Sequence, residues 1–399
     1  MTDAPAKTYD VIVVGLGAMG GAALRELARR GCSALGIEQF DVAHDRGSSH
    51  GQTRLIRRSY FEHPDYVPLV DRSFEAWAEL ERVSLSAGAS DRKLFERCGL
   101  LLAGSPEGEI ISGVRRAASE HRLSIETVEP RDLRKRFPGF AVTDGMEVLF
   151  EPDAGFLHVE RCVRAQVEHA VALGAEVVTG RRVEQWSADG TGVTVRTDKG
   201  DFVASRLVLC AGAWTGQLLN RALLRSATLL RSAALPPLVV QRRVVLWFTM
   251  SDTVYSMKRG CPAFGFEALG GFFYGFPSLD GARIKVGEHT GDDVVADPDQ
   301  IRRELLPDDD ARIRSFVRAH LPRIEPIPVD HSVCMYTMTP DQHFVIDRLP
   351  DMPNVVFAAG FSGHGFKFAP VVGSLLADLV TGGDSVGLSC DLFRAARFP

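Results

Sequence analysis

The chain has 399 residues, 45% hydrophobic and 24% charged, with a formal net charge of −5. That length can bury a core large enough for two domains, or for one domain with a big insertion, and the acidic balance gives no case for nucleic acid as the main partner. No apolar run reaches the ~18 residues of a membrane span, and the opening residues 1–7 lack the apolar core of a secretion signal, so a cytoplasmic protein with no membrane partner is expected.

Strand-like Val11–Val14 is a short β-branched run of the kind buried on both faces of a sheet. It ends in Gly15-Leu16-Gly17-Ala18-Met19-Gly20. Gly15 permits a tight turn, Gly17 lets backbone N–H groups approach a pyrophosphate, and Gly20 lets the next helix pack close to the strand. That helix aims its N-terminal partial charge at the phosphates. Leu24, Leu27 and Ala28 share one face, and Gly31 is its expected stop. A second strand ends at Glu38, 18 residues after Gly20, where an acid can accept hydrogen bonds from both ribose hydroxyls of an adenosine. An acid there argues against a 2′-phosphate. Strand, triplet, helix, strand and acid in register predict dinucleotide binding, and Gln39 follows the acid. The motif does not choose between FAD and NAD.

A polar, arginine-bearing loop follows at 46–54, suited to a cofactor wall. The spacing of Leu69, Val70, Phe74, Trp77 and Leu80 predicts a helix over 66–82. Leu100 to Ala103 reads as a strand, 107–120 and 130–137 as helices, 151–155 as a turn and 158–173 as a helix. Residues 176–178 and 182–184 read as strands, with Val183 in the second, and 192–203 as a hairpin. Leu207 to Leu209 is a further buried strand, running into a turn at Gly212. Such a return of the chain to the first domain suits FAD-binding folds better than a simple NAD domain. Cys210 there is expected to be a core residue. Residues 221–235, with the near-repeat Leu223-Leu224-Arg225-Ser226-Ala227, read as an insertion. The β-branched and aromatic runs between Val244 and Val286 predict an antiparallel sheet. Residues 298–320 read as helical and 322–328 as a linker. A third apolar strand, 354–359, ends at Gly360 and is followed by Gly363, His364, Gly365 and a helix over 371–379.

The seven cysteines (32, 98, 162, 210, 261, 334, 390) are odd in number and form no C-x-x-C pair. Neither a disulfide framework nor a metal site is suggested, and the thiols are expected reduced. Only seven of the 46 basic residues are Lys, so Lys285 and Lys367, both in glycine-rich stretches, stand out.

The whole chain resembles the monomeric sarcosine oxidase and N-methyltryptophan oxidase family of flavoenzymes. The resemblance rests on the glycine triplet, on Gly47-Ser48-Ser49-His50-Gly51-Gln52-Thr53-Arg54-Leu55-Ile56-Arg57, and on Tyr274-Gly275-Phe276-Pro277. It rests also on Lys285-Val286-Gly287-Glu288-His289, on Cys334-Met335-Tyr336-Thr337, and on Phe361-Ser362-Gly363-His364-Gly365-Phe366-Lys367-Phe368. These stand in family order.

The resemblance implies FAD joined through its 8α carbon to Cys334, a step for which a thiolate is a suitable nucleophile. It implies that Arg57 and Lys367 hold the substrate carboxylate, with Arg58 a surface residue. Arg57 brings a bidentate fork and Lys367 a point charge. Two such cations would repel unless an anion joins them. Lys285 matches the lysine that promotes reaction of the reduced flavin with oxygen, where a fixed ammonium would stabilise the developing anion. His289 matches a histidine near the amine, Tyr274 a pocket tyrosine, and His50 and Arg54 residues flanking the flavin. Gly15, Gly17, Ala18, Met19, Gly20, Glu38, Gln39, Val183, Gly212, Gly363, His364, Gly365 and Lys367 complete the expected cofactor contacts. Three departures bear on specificity. Sarcosine oxidases carry a bulky methionine where this chain has Gly265, a position small in the N-methyltryptophan enzymes; the family's His-His is here Ser49-His50; and the insertion at 221–235 has no family counterpart. Together they favour a side chain larger than that of sarcosine.

The expected fold is therefore α/β, with a discontinuous Rossmann-type FAD-binding domain (1–85, 150–215 and 330–385). An α+β substrate domain on an antiparallel sheet (86–149 and 216–329) and a C-terminal tail (386–399) complete it. The expected activity is oxidation of the C–N bond of a secondary, N-methyl α-amino acid by a monomeric enzyme. The products are an imine, then the amino acid and formaldehyde, with O2 reduced to hydrogen peroxide. The alternatives are a flavin oxidase or dehydrogenase of a cyclic imino acid or primary amino acid, an NAD dehydrogenase, and a non-catalytic nucleotide-binding protein. Cys334, Lys285 and Lys367 separate an enzyme from a binding module, which would not need them.

Overall fold

The computed structural model describes residues 7–86, 93–223, 237–350, 352–383 and 391–398. Strands Glu176–Val178, Ala34–Ile37, Thr8–Val14, Gly200–Leu209 and Met352–Ala359 lie side by side, all parallel. Their apolar residues are buried on both faces, which a parallel sheet with helical cover requires. Helix Ala18–Arg29 packs between helices Val159–Ala172 and Ala369–Thr381 on one face. Helix Tyr66–Ser86 adds Tyr66, Val70, Trp77 and Leu80 to the same core, each burial of this size contributing ~1.5–3 kcal/mol. No helix of the described residues is long and apolar enough to cross a membrane.

A second sheet runs in the order Ile324–Met338, Val239–Met250, Arg283–Glu288, Gly271–Phe276, Ala263–Ala268, Leu100–Gly104, Glu147–Glu151, Glu126–Thr127. Its first five strands are the expected antiparallel sheet, extended by the edge strand. A small third sheet pairs Thr53–Ile56 and Phe95–Arg97 with Gly155–His158.

Several expectations are corrected. The hairpin strand and the buried strand before Gly212 are one strand, Gly200–Leu209. Its first half pairs antiparallel with Val193–Thr197 and its second half parallel with Met352–Ala359. Ser205 and Arg206 look like a break in sequence but fall on partly exposed positions of a continuous strand. The linker at 322–328 is largely strand, Ile324–Met338. Its Pro326 and Pro328 are tolerated because this is the sheet's edge, where a missing N–H breaks no ladder. The helix over 298–320 shrinks to Ala311–His320, preceded by a short 3₁₀ turn, Pro298–Gln300. The expected insertion at 221–235 lies, from residue 224 on, outside the described residues. Of the segment 330–385 assigned to the cofactor domain, residues 330–338 run in the second sheet, where Cys334 pairs with Arg243.

Candidate active site

The glycine triplet sits where the central parallel strands end. A Cβ on Gly15, at φ +86°, would lie 2.5 Å from the Cys210 carbonyl oxygen. One on Gly20 would lie 1.7 Å from the Gly15 carbonyl oxygen, so the helix can start this close to the strand only with glycine. Ser49 Oγ accepts the Ala18 N–H at 3.2 Å at the start of that helix. Glu38, 4% exposed, accepts the backbone N–H groups of Leu16 at 2.8 Å and Phe40 at 3.0 Å. Each of its oxygens keeps further acceptor capacity. Cys210 is buried in the core as expected, and burial pushes its thiol up to about 12.

These groups border a cavity of about 1430 Å³, its mouth included. Gly15, Gly17, Ala18, Met19, Glu38, Gln39, Val183 and Gly212 line it, and it extends to Arg54, Tyr336, Gly363 and Gly365. Gly20 stands behind the lining, holding the helix in place. Thr337 Oγ1 also faces this cavity and is buried without a protein hydrogen-bond partner. An orphaned hydroxyl costs ~1–3 kcal/mol unless a ligand or water meets it. Apolar walls with a few placed polar groups, an acid at the end of the second strand and an unmet hydroxyl fit a dinucleotide.

A second cavity, of about 550 Å³, shares Arg54, Tyr336, Gly363 and Phe366 with the first. It is lined by Arg57, Glu62, Tyr274, His289, His364 and Lys367, with Phe61, Phe272 and Phe276 as apolar walls. The structure thus brings together six predicted catalytic or binding side chains, Arg54, Arg57, Tyr274, His289, His364 and Lys367. His364 belongs to this cavity rather than the larger one. Its Nε2 lies 2.9 Å from the Gln342 carbonyl oxygen, so Nε2 carries the proton and Nδ1 accepts from Tyr60 Oη at 2.6 Å.

Two acids from the segment 151–160 fix the arginine loop. Glu160 Oε1 accepts the N–H groups of Gly51 and Gln52 at 2.8 and 3.1 Å. Glu151, 4% exposed, accepts those of Arg58 and Ser59 at 2.7 and 3.0 Å. Arg57 is thereby presented inward and sandwiched between Tyr60 and Phe61, 4.5 and 4.3 Å from their ring centres. Its Nη2 donates to both carboxylate oxygens of Glu62 at 2.8 Å, and its Nη1 donates to the Ser59 carbonyl oxygen. Arg58 turns outward to Asp71.

Glu62 is the residue that sequence reasoning missed. Burial alone would raise its carboxyl, but Arg57, then His364 and Lys367, hold it down at about 2. The need for an anion between Arg57 and Lys367 was the signal.

Lys367, 5% exposed, donates to the His364 carbonyl oxygen at 2.8 Å. Burial and the Arg57 charge lower its pKa to about 7, against the opposing pull of Glu62. Its ammonium is therefore present below that pH and lost above it. An amine-free carboxylate inhibitor should bind progressively more weakly as pH rises through about 7. Lys367→Met should flatten that dependence, as titration calorimetry across pH would show. His289 is held neutral, at about 4, by burial first and then by Arg243, Lys367 and Arg57. Its Nδ1 lies 3.3 Å from Tyr336 Oη.

A buried cationic group stands behind Arg54, which lines both cavities, whereas Lys285, His50 and Cys334 line neither. Lys285 donates to the carbonyl oxygens of Gly51 at 2.6 Å and Thr53 at 3.0 Å. Burial, then Arg54, hold its pKa well below the ordinary lysine value. Arg54 donates to Cys334 Sγ at 3.5 Å. Burial opposes ionisation of that thiol, but His50, Arg54 and Lys285 outweigh it and lower its pKa to about 6. The ring of His50 is buried, with Nε2 unpartnered by protein.

Residues 10–379 match the family model described as FAD dependent oxidoreductase. The chain belongs to this family. FAD is accordingly its cofactor, and the protein is an oxidoreductase. It is 40% identical to the monomeric sarcosine oxidase of Bacillus sp. (strain B-0618), over 94% of this chain and 93% of that protein. It is 34% identical to the N-methyl-L-tryptophan oxidase of Escherichia coli O139:H28, over 98% and 99% of the two chains. Among solved structures it resembles NikD, an unusual amino acid oxidase essential for nikkomycin biosynthesis. The TM-score is 0.81 at 25% identity, covering 98% of each chain. Glu38, the glycine-triplet backbone and Thr337 are the groups of the larger cavity that would offer the cofactor polar contacts.

Proposed function

We propose that this flavoenzyme oxidises the C–N bond of a secondary, N-methyl α-amino acid. The observation that carries the reading is the convergence of Arg57 and Lys367 in a small cavity that opens onto the cofactor cavity. The relatives named sarcosine oxidase and N-methyl-L-tryptophan oxidase support the same substrate class. Bound FAD supplies the two-electron acceptor, and O2 restores it with release of hydrogen peroxide.

The protein's own residues bind and orient the substrate. Arg57 meets the substrate carboxylate with the guanidinium whose Nη2 now engages Glu62, and Lys367 adds its charge from the other loop. A carboxylate fixed at two points places the N-methyl group toward the cavity's junction at Tyr336 and Gly363. Neutral His289 adds no positive charge beside the substrate nitrogen. Phe61, Phe272 and Phe276 exclude water around it, which strengthens each of these charge interactions. Water then splits the released imine into the amino acid and formaldehyde. The test is a panel of N-methyl amino acids, cyclic imino acids and primary amino acids, with hydrogen peroxide and formaldehyde both measured. Peroxide without formaldehyde on every active substrate would refute N-demethylation. We further propose that the enzyme acts as a monomer.

The attachment of FAD is proposed to be a thioether at Cys334, favoured by the lowered thiol pKa. Acid-precipitated protein should stay yellow, and Cys334→Ala should release all of its flavin to the supernatant. A colourless pellet from flavin-replete native protein would refute the linkage.

A further inference from the structure

We propose that Phe272 sets the width of the substrate's side-chain subsite and so decides which α-substituents are accepted. The inference rests on the amino-acid reading above. The sequence reads Gly265 as opening the pocket, yet the structure fills the room it leaves. Gly265 pairs with Tyr274 across the two strands, and Phe272 is the diagonal neighbour. A Cβ on Gly265 would lie 2.7 Å from both Cε2 and Cζ of Phe272, and 2.9 Å from Leu102 Cδ2. The ring therefore rests on bare glycine backbone, an aromatic covering a glycine on a sheet face.

The other face of that ring borders the substrate cavity, where Gly265 itself does not. It meets Phe61 edge-on with ring centres 5.6 Å apart and an interplanar angle of 79°. It stands 6.0 Å from the His289 ring. Its backbone is tied at both ends. The Phe272 N–H donates to Thr290 Oγ1 at 3.3 Å, and its carbonyl oxygen accepts the His289 N–H at 2.7 Å. Only the side chain is left to adjust. Phe272 is thus the wall that a substrate side chain packs against, and Gly265 is the floor that lets the wall stand back.

Two substitutions on this one contact should act in opposite directions. Phe272→Ala opens the cavity down to Gly265 and Leu102. Gly265→Ala pushes the ring into the cavity, because the added Cβ cannot share the ring's place. A single methylene in an apolar pocket discriminates ~10–200-fold, so a whole ring should move selectivity by at least ~10-fold. The readout is the ratio of kcat/KM for N-methyltryptophan to that for sarcosine, measured on flavin-loaded protein. Phe272→Ala should raise the ratio at least ~10-fold and Gly265→Ala should lower it, with Phe272→Leu in between. A merely structural role would depress both substrates alike and leave the ratio in place. A ratio that does not move, or moves the same way in both variants, overturns the proposal. Should Phe272→Ala fail to load flavin, Phe272→Leu and Gly265→Ala carry the same comparison. A native enzyme that oxidises no N-methyl amino acid overturns the functional reading instead, and the two failures are distinct.

Discussion

Lys285→Met should leave reduction of the flavin by substrate largely intact while slowing its reoxidation by O2 ~10²–10³-fold, the usual cost of removing one preorganised donor from a developing anion. The substitution keeps the length of the side chain and removes its charge. Lys285 is held by the Gly51 and Thr53 carbonyl oxygens, with its Nζ 4.5 Å from the centre of the Phe276 ring. Two fixed acceptors hold the nitrogen still, so no reorganisation is needed when negative charge develops nearby. Burial disfavours the ammonium in the resting protein, and a nearby anion would favour it. Stopped-flow measurement of the two half-reactions separates the outcomes. Unchanged reoxidation, with lowered thermal stability, would make Lys285 only a pin for the 51–53 loop.

The cofactor end of the fold was legible because its constraints are local. Gly20 and Glu38 each answer to a contact within one βαβ unit, and their spacing carries the geometry. The second sheet was legible from its aromatic and β-branched runs. The edge strand Ile324–Met338 was not, because its prolines signal a break that only an edge position forgives. At the site, the sequence motifs marked Arg57, Lys367, His289 and Cys334, and the structure draws the first three around one cavity. Glu62 carries no motif. Its role depends on Glu151 and Glu160, nearly a hundred residues on, holding the loop so that Arg57 turns inward and meets it. Phe272 was hidden for the same kind of reason: its importance lies in a diagonal contact with a glycine on the next strand. The lowered pKa of Cys334 likewise comes from His50, Arg54 and Lys285, all of them distant from it in sequence.

Arg57→Ala should lower kcat/KM for an amino-acid substrate by ~30-fold to several thousand-fold. Truncating one partner of a buried, hydrogen-bonded charge pair costs ~2–5 kcal/mol, and ~1.36 kcal/mol is a factor of ten. Two effects contribute. The substrate carboxylate loses its fork, and Glu62 is left as a buried carboxylate without the partner that holds its pKa at about 2. An ionised Glu62 would then repel the substrate carboxylate. The double variant Arg57→Ala with Glu62→Gln separates the two, and should recover the repulsive part of the loss but not the rest. Arg57→Lys should also be costly, since a point charge cannot replace a planar fork that meets two oxygens at once. The decisive comparison uses a neutral substrate. The amide or the decarboxylated amine should react poorly with native enzyme and lose little further in Arg57→Ala. Equal losses on the amino acid and on the neutral amine would mean that Arg57 reads no carboxylate. Arg57 would then serve to anchor Glu62 and the loop 57–62, and the substrate would be a simple amine.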